Sequence, residues 1–86
     1  MYALIREATL RPEAQERYRA ARAEFDAFHE QFAGYRGGVV LDAGEGRRIT
    51  VALWESEEAY QAAAPAIRPQ AERLITPHLQ AASRVM

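Results

Sequence analysis

The chain has 86 residues, 49% of them hydrophobic and 27% charged, and carries a net charge of −1. That is the make-up of one small globular domain, with no overall positive field to draw in nucleic acid or an anionic membrane surface. Cysteine, lysine and asparagine are all absent, which excludes disulfides, thiolate metal sites and Schiff-base chemistry.

Tyr2 to Ala8 reads as a first strand, with Leu4 and Arg6 on one face and Ile5 on the other. A helix is predicted from about Pro12 to about Ala33, with Pro12 in its first turn and Glu13 at its positive end. Ala14, Tyr18, Ala21, Phe25, Phe28 and Phe32 recur at spacings of four and three and form its apolar stripe. Glu13–Arg17 and Arg22–Asp26 are candidate ion pairs on its flank. Gly34 is expected to end the helix in a left-handed conformation.

Tyr35 to Asp42 reads as a second strand, in which Gly37-Gly38 suggests a bulge or a close backbone approach. Ala43-Gly44-Glu45-Gly46 is a hairpin loop, and Arg47 to Trp54 a third strand, with Arg47 and Arg48 at a solvated hairpin tip. Ile49, Val51 and Leu53 point to one face of that strand, and Thr50, Ala52 and Trp54 to the other. Ser56 caps a second helix, with Glu57 and Glu58 in its first turn. Pro65 is expected to break or kink it, leaving a further short helix with Pro69 in its first turn. Leu79 to Val85 reads as a weak fourth strand.

This order of elements is that of a ferredoxin-like α+β fold, βαββαβ, with a four-stranded antiparallel sheet and both helices on one face. Neither sheet face is clearly polar. A bare apolar face would be a large exposed patch, and the simplest cover is a second copy of the chain across a two-fold axis.

The junction Leu53-Trp54-Glu55-Ser56-Glu57-Glu58-Ala59-Tyr60, together with Gly34-Tyr35-Arg36-Gly37-Gly38 after the long helix, resembles the antibiotic-biosynthesis-monooxygenase-like group of dimeric α/β barrels over essentially the whole chain. The resemblance implies a homodimer and a cavity in each subunit between sheet and helices. It also implies a cofactor-independent monooxygenase-like activity on an aromatic or quinol-type small molecule, with no cofactor. The alternative is a non-catalytic dimeric barrel that binds a small hydrophobic ligand or serves a structural role. Haem-degrading members pair the strand-three tryptophan with a strand-one asparagine and a helix-two histidine. Neither residue is present here, so haem degradation is not expected.

The ligand-binding candidates are Trp54, Tyr60, Arg6, Tyr18 and His29. Trp54 can stack on a planar ligand and offer its N–H, or simply anchor the core. Tyr60, in the first turns after Trp54, suits a pocket wall. Tyr18 and Tyr35 can place hydroxyls in a cavity. Arg6 on the Leu4 face needs a carboxylate partner or an anionic ligand if buried, and a strand-edge pair with an acidic residue is the plainer expectation. His29 lies one position past the apolar stripe, either as a general base or as a partly exposed flank residue. His78 sits in a connector, and the two histidines have no metal-ligand spacing, so no metal is expected. Catalytic residues are not assigned. Exposed base-stacking aromatics and a basic surface are missing, so no nucleic acid is expected. With no signal pattern and no stretch near the roughly 20 apolar residues of a membrane span, a cytoplasmic location without membrane contact is the default expectation.

Overall fold

A computed structural model describes residues 1–86. Its elements run β1 (Tyr2–Thr9), α1 (Gln15–His29), β2 (Tyr35–Gly44), β3 (Arg47–Trp54), α2 (Glu57–Leu74) and β4 (Arg84–Val85), with short 3-10 turns at Pro12–Ala14 and Thr76–His78. The strands form one antiparallel sheet in the order β2-β3-β1-β4, the ferredoxin-like arrangement read from the sequence. No helix is long and apolar enough to cross a membrane.

The long β1–β3 ladder sets what faces where. Tyr2 pairs with Trp54, Leu4 with Ala52 and Arg6 with Thr50. These alternate positions turn toward the helices, while Ile5, paired with Val51, and Glu7, paired with Ile49, turn away. The β2–β3 hairpin closes through Glu45 and Gly46, both with positive φ (55° and 79°), so the turn itself is two residues long, shorter than the four-residue loop read from the sequence. Such mirror-image turns match the right-handed twist of the strands they join. The ladder shifts register between Tyr35 and Gly38, the bulge expected at the paired glycines.

Helix one is shorter than its apolar stripe. The chain winds as a 3-10 turn through Pro12–Ala14 and becomes α-helical only at Gln15. Glu13 therefore lies outside the α geometry that brings i and i+4 together, and the Glu13–Arg17 pair does not form. Arg22 and Asp26 do pair, at 2.9 Å. Beyond His29 the chain unwinds in successive tight turns, with Glu30 N–H donating to Ala27 O, Phe32 N–H to His29 O and Tyr35 N–H to Phe32 O. Gly34 is not left-handed. A Cβ there would lie 2.5 Å from the Ala59 Cβ, so the glycine is needed because α2 packs directly over it. Its carbonyl accepts from Glu55 N–H at 2.7 Å, tying the end of helix one to the β3–α2 junction.

Helix two is continuous through both prolines, contrary to the expected break at Pro65. Pro65 and Pro69 are four residues apart, hence on one stripe, and both are exposed. The carbonyls they leave unbonded, those of Gln61 and Pro65, fall on that same wet side and can be solvated. On the other side Ala63, Ala64, Ile67 and Leu74 are buried and hold the helix to the sheet. Ser56 caps it as read, its Oγ accepting from Ala59 N–H at 3.1 Å. Ser56→Ala is expected to cost about 1 kcal/mol, measured as a lower urea midpoint with unchanged m-value.

The last strand is also shorter than expected. Leu79 makes one bridge to Leu10, and only Arg84–Val85 pair with β1. Between them Ala81 and Ala82 are exposed, with no apolar alternation to hold them on the sheet. Trp54, Phe25, Ala63, Ile67 and Leu74 form the main buried cluster, and Leu10, Tyr18 and Leu79 a second.

Candidate functional site

Between the helices and the inner sheet face lies a cavity of about 300 Å³, at the lower end of the range for small-molecule sites. Its sheet wall is Leu4, Arg6 and Ala8 from β1 and Thr50, Ala52 and Trp54 from β3. These are the inward positions of two neighbouring strands. Helix one adds Tyr18, Arg22, Phe25 and His29, and helix two adds Tyr60, Ile67, Arg68, Ala71 and Glu72. All five residues singled out in the sequence, Trp54, Tyr60, Arg6, Tyr18 and His29, line this one space.

Trp54 is 1% exposed and sits at the centre of an aromatic cluster. Tyr35 meets its ring edge-on at 5.3 Å and Tyr60 at 5.7 Å, while His29 and Phe32 lie at 6.2 and 6.3 Å. Its Nε1–H is buried and has no acceptor in the protein. A buried donor left unpaired costs roughly 1–3 kcal/mol, so this N–H is suited to an acceptor on a ligand. Tyr60 is half-buried and also stacks on Tyr2 at 5.8 Å. Tyr35 supports Trp54 but is not part of the cavity wall, and burial raises its phenol above the ordinary value.

His29 is not a flank residue. It is 7% exposed because Tyr35 and Trp54 fold over it, at 5.1 and 6.2 Å between ring centres. Its Nδ1 lies 2.8 Å from the Phe25 carbonyl. A carbonyl only accepts, so Nδ1 carries the proton and Nε2 keeps its lone pair. Burial, with a smaller contribution from Arg22, holds its pKa below the usual histidine value, against the opposing pull of the Phe25 carbonyl and Asp26.

The unfolded chain therefore takes up this proton first as pH falls. Stability tied to His29 is complete above about pH 6.5 and is lost as pH drops from there through the lowered folded value. Thermal melts of the wild type from about pH 7 to about pH 5 are expected to show this loss, and His29→Phe a shallower one. Equal slopes would disprove the assignment.

Arg6 is not at a strand edge and has no acidic partner. Its sheet neighbours, Thr50 and Val85, are uncharged. The adjacent Glu7 points to the opposite face, where Arg47 and Arg84 take both of its oxygens and hold its carboxyl below the usual range. Arg47 is thus engaged rather than free at a hairpin tip, and Arg48 pairs with Asp42 at 3.2 Å. The cavity residues not singled out from the sequence include Thr50, Arg22, Arg68, Glu72 and Ser83. Two had a usable signal. Thr50 shares the alternation of Trp54, and Arg22 falls in the helical series Tyr18, Arg22, Phe25, His29.

His78 lies outside this cavity, and no three metal-ligating side chains converge anywhere in the chain. A second depression of about 460 Å³ lies beside the hairpin, lined by Asp42, Glu45, Arg48 and Gln80 among others. Leu10 is its only hydrophobic lining residue, so it lacks the apolar walls of a typical ligand site.

The family model described as antibiotic biosynthesis monooxygenase matches residues 1–83. The chain belongs to the antibiotic biosynthesis monooxygenase family. Its fold is shared by SnoaB from Streptomyces nogalater, a cofactor-independent oxygenase, with a TM-score of 0.79 at 17% identity over 98% of this chain and 88% of that one. Rv0793 from Mycobacterium tuberculosis superposes with a TM-score of 0.77 at 18% identity, covering 98% and 88% of the two chains. A conserved protein from Methanosarcina mazei Go1 reaches 0.82 at 10% identity, covering 98% and 86%. No curated protein matches the sequence. At such identities the structural likenesses speak for the fold.

Proposed function

We propose that this protein is a cofactor-independent monooxygenase-like enzyme that acts, as a homodimer, on an aromatic or quinol-type small molecule held against Trp54. The observation that carries the reading is the buried, acceptor-free Trp54 N–H set in an aromatic wall beside a neutral, buried histidine. A planar ring packs on Tyr60 at the edge of Trp54, and an oxygen on that ring accepts from the Trp54 N–H. His29 Nε2 is in a state to accept a proton at neutral pH.

Once deprotonated, an anthrone-like methylene or a quinol is electron-rich enough to reduce oxygen itself. In a methylene-to-carbonyl oxidation, one atom of O2 becomes the new carbonyl and the other leaves as water with the two hydrogens lost from carbon. The protein's part is to bind, orient, exclude bulk water and take a proton.

The test is oxygen uptake by the purified protein with a panel of anthrones and hydroquinones. Turnover of at least one compound is expected, with Trp54→Phe slower by about tenfold or more while still folded. If compounds bind but none is consumed, the reading gives way to the non-catalytic ligand-binding barrel. The missing asparagine and the absence of histidine on α2 are the features that favour that second reading.

A further inference from the structure

We infer that the ligand of this cavity carries a carboxylate, and that Arg6 is the residue that selects for it. The inference rests on the proposed reading of the cavity as the ligand site and adds a charge requirement to it. The wall carries more positive than negative side chains. It contains three guanidinium groups, Arg6, Arg22 and Arg68, against one carboxylate, Glu72.

These four charges differ in what they already do. Arg22 is largely buried and lies 2.9 Å from Asp26, although its Nε–H is not aligned with an acceptor. Arg68 and Glu72 are exposed at the cavity rim on helix two. Arg6 is half-buried and projects from the sheet floor beside Thr50, and its side chain makes no ion pair or hydrogen bond within the chain.

Glu7, the acid closest in sequence, cannot serve Arg6. The alternation of β1 sends it through the sheet, where Arg47 and Arg84 hold it. The Arg6 guanidinium has no partner in the chain, and its planar fork of donors matches a carboxylate with two parallel hydrogen bonds. The unpaired Trp54 N–H in the same wall adds a further donor. A ligand with an anionic oxygen pair on an aromatic body would pair with Arg6 and pack on the apolar part of the wall.

The test is calorimetric titration of the intact protein with 2-naphthoate and with naphthalene-2-carboxamide, which has nearly the same shape but no charge. The naphthoate is expected to bind at least about tenfold more tightly, or roughly 1.4 kcal/mol. Arg6→Gln should reduce that preference to within about twofold. Arg6→Lys keeps the charge but not the fork, so it should retain part of the preference. It also serves as the folded control if Arg6→Gln is unstable. Arg68→Gln should leave the preference intact.

Equal affinity for the two ligands overturns the inference, and so does a naphthoate preference that survives Arg6→Gln. Failure of both ligands to bind overturns it too. The oxygen-uptake assay with uncharged hydroquinones does not depend on a carboxylate, so it reports separately on the proposed function.

Discussion

Trp54→Ala is expected to remove a large share of the protein's stability. The indole is 1% exposed and is the largest fully buried side chain. Four aromatic rings surround it, from β2, α2 and the end of helix one. Truncating a buried tryptophan to alanine costs about 3–5 kcal/mol, from lost burial and the cavity left behind. A domain of this length has only about 4–13 kcal/mol in total at 0.05–0.15 kcal/mol per residue. At about 4–8 °C per kcal/mol for a domain of this size, the melting temperature should fall by roughly 12–40 °C. A fall of under about 5 °C would mean that Trp54 is not the structural centre of the core. Trp54→Phe keeps a ring in the space and is expected to remain folded, so it is the variant for functional work.

How much of this was legible in the sequence depended on whether the deciding contact was local. The β3–α2 junction was readable because all its parts lie within a few residues: the alternation into Trp54, the Ser56 cap and the acidic first turn. The inner face was readable for the same reason, since the period of two placed Arg6 with Leu4 and Trp54 with Thr50. Four features were not. Pro65 and Pro69 break isolated helices, but burial of Ala63, Ala64, Ile67 and Leu74 on the opposite side outweighs the lost bonds here. Gly34 looked like a left-handed stop, whereas the constraint comes from Ala59, 25 positions along the chain, by a close approach that no local pattern signals. From the apolar stripe of helix one alone, His29 reads as a flank residue. Tyr35 and Trp54, from two strands, cover it. The period of two puts Arg6 on the correct face, but its expected acidic partner is missing, and only the sheet register shows Glu7 committed to the other side.

Leu41→Glu is expected to separate the proposed dimer into monomers. Only 11 of the 86 residues are buried within a single chain, which is little core for a domain without disulfides. The outer sheet face carries Ile5, Val39 and Leu41, at 36%, 53% and 50% exposure, with Ile49, Val51 and Leu53 half-buried between them. A stable interface takes about 800 Å² from each partner, roughly one-seventh of this chain's 5377 Å², and one sheet face is a suitable place to find it. Around a two-fold axis each substitution occurs twice, so Leu41→Glu would place two like charges in an apolar interface. The dissociation constant should rise by about 100-fold or more, or roughly 3 kcal/mol. Light scattering across a dilution series is expected to give twice the chain mass for the wild type and the chain mass for the variant. The wild-type melting temperature should also rise with protein concentration. If the chain were monomeric, a glutamate at a half-exposed strand position would change almost nothing. A wild type that scatters as a monomer, or a variant that remains dimeric, would mean that the outer face of this sheet is not where two copies meet.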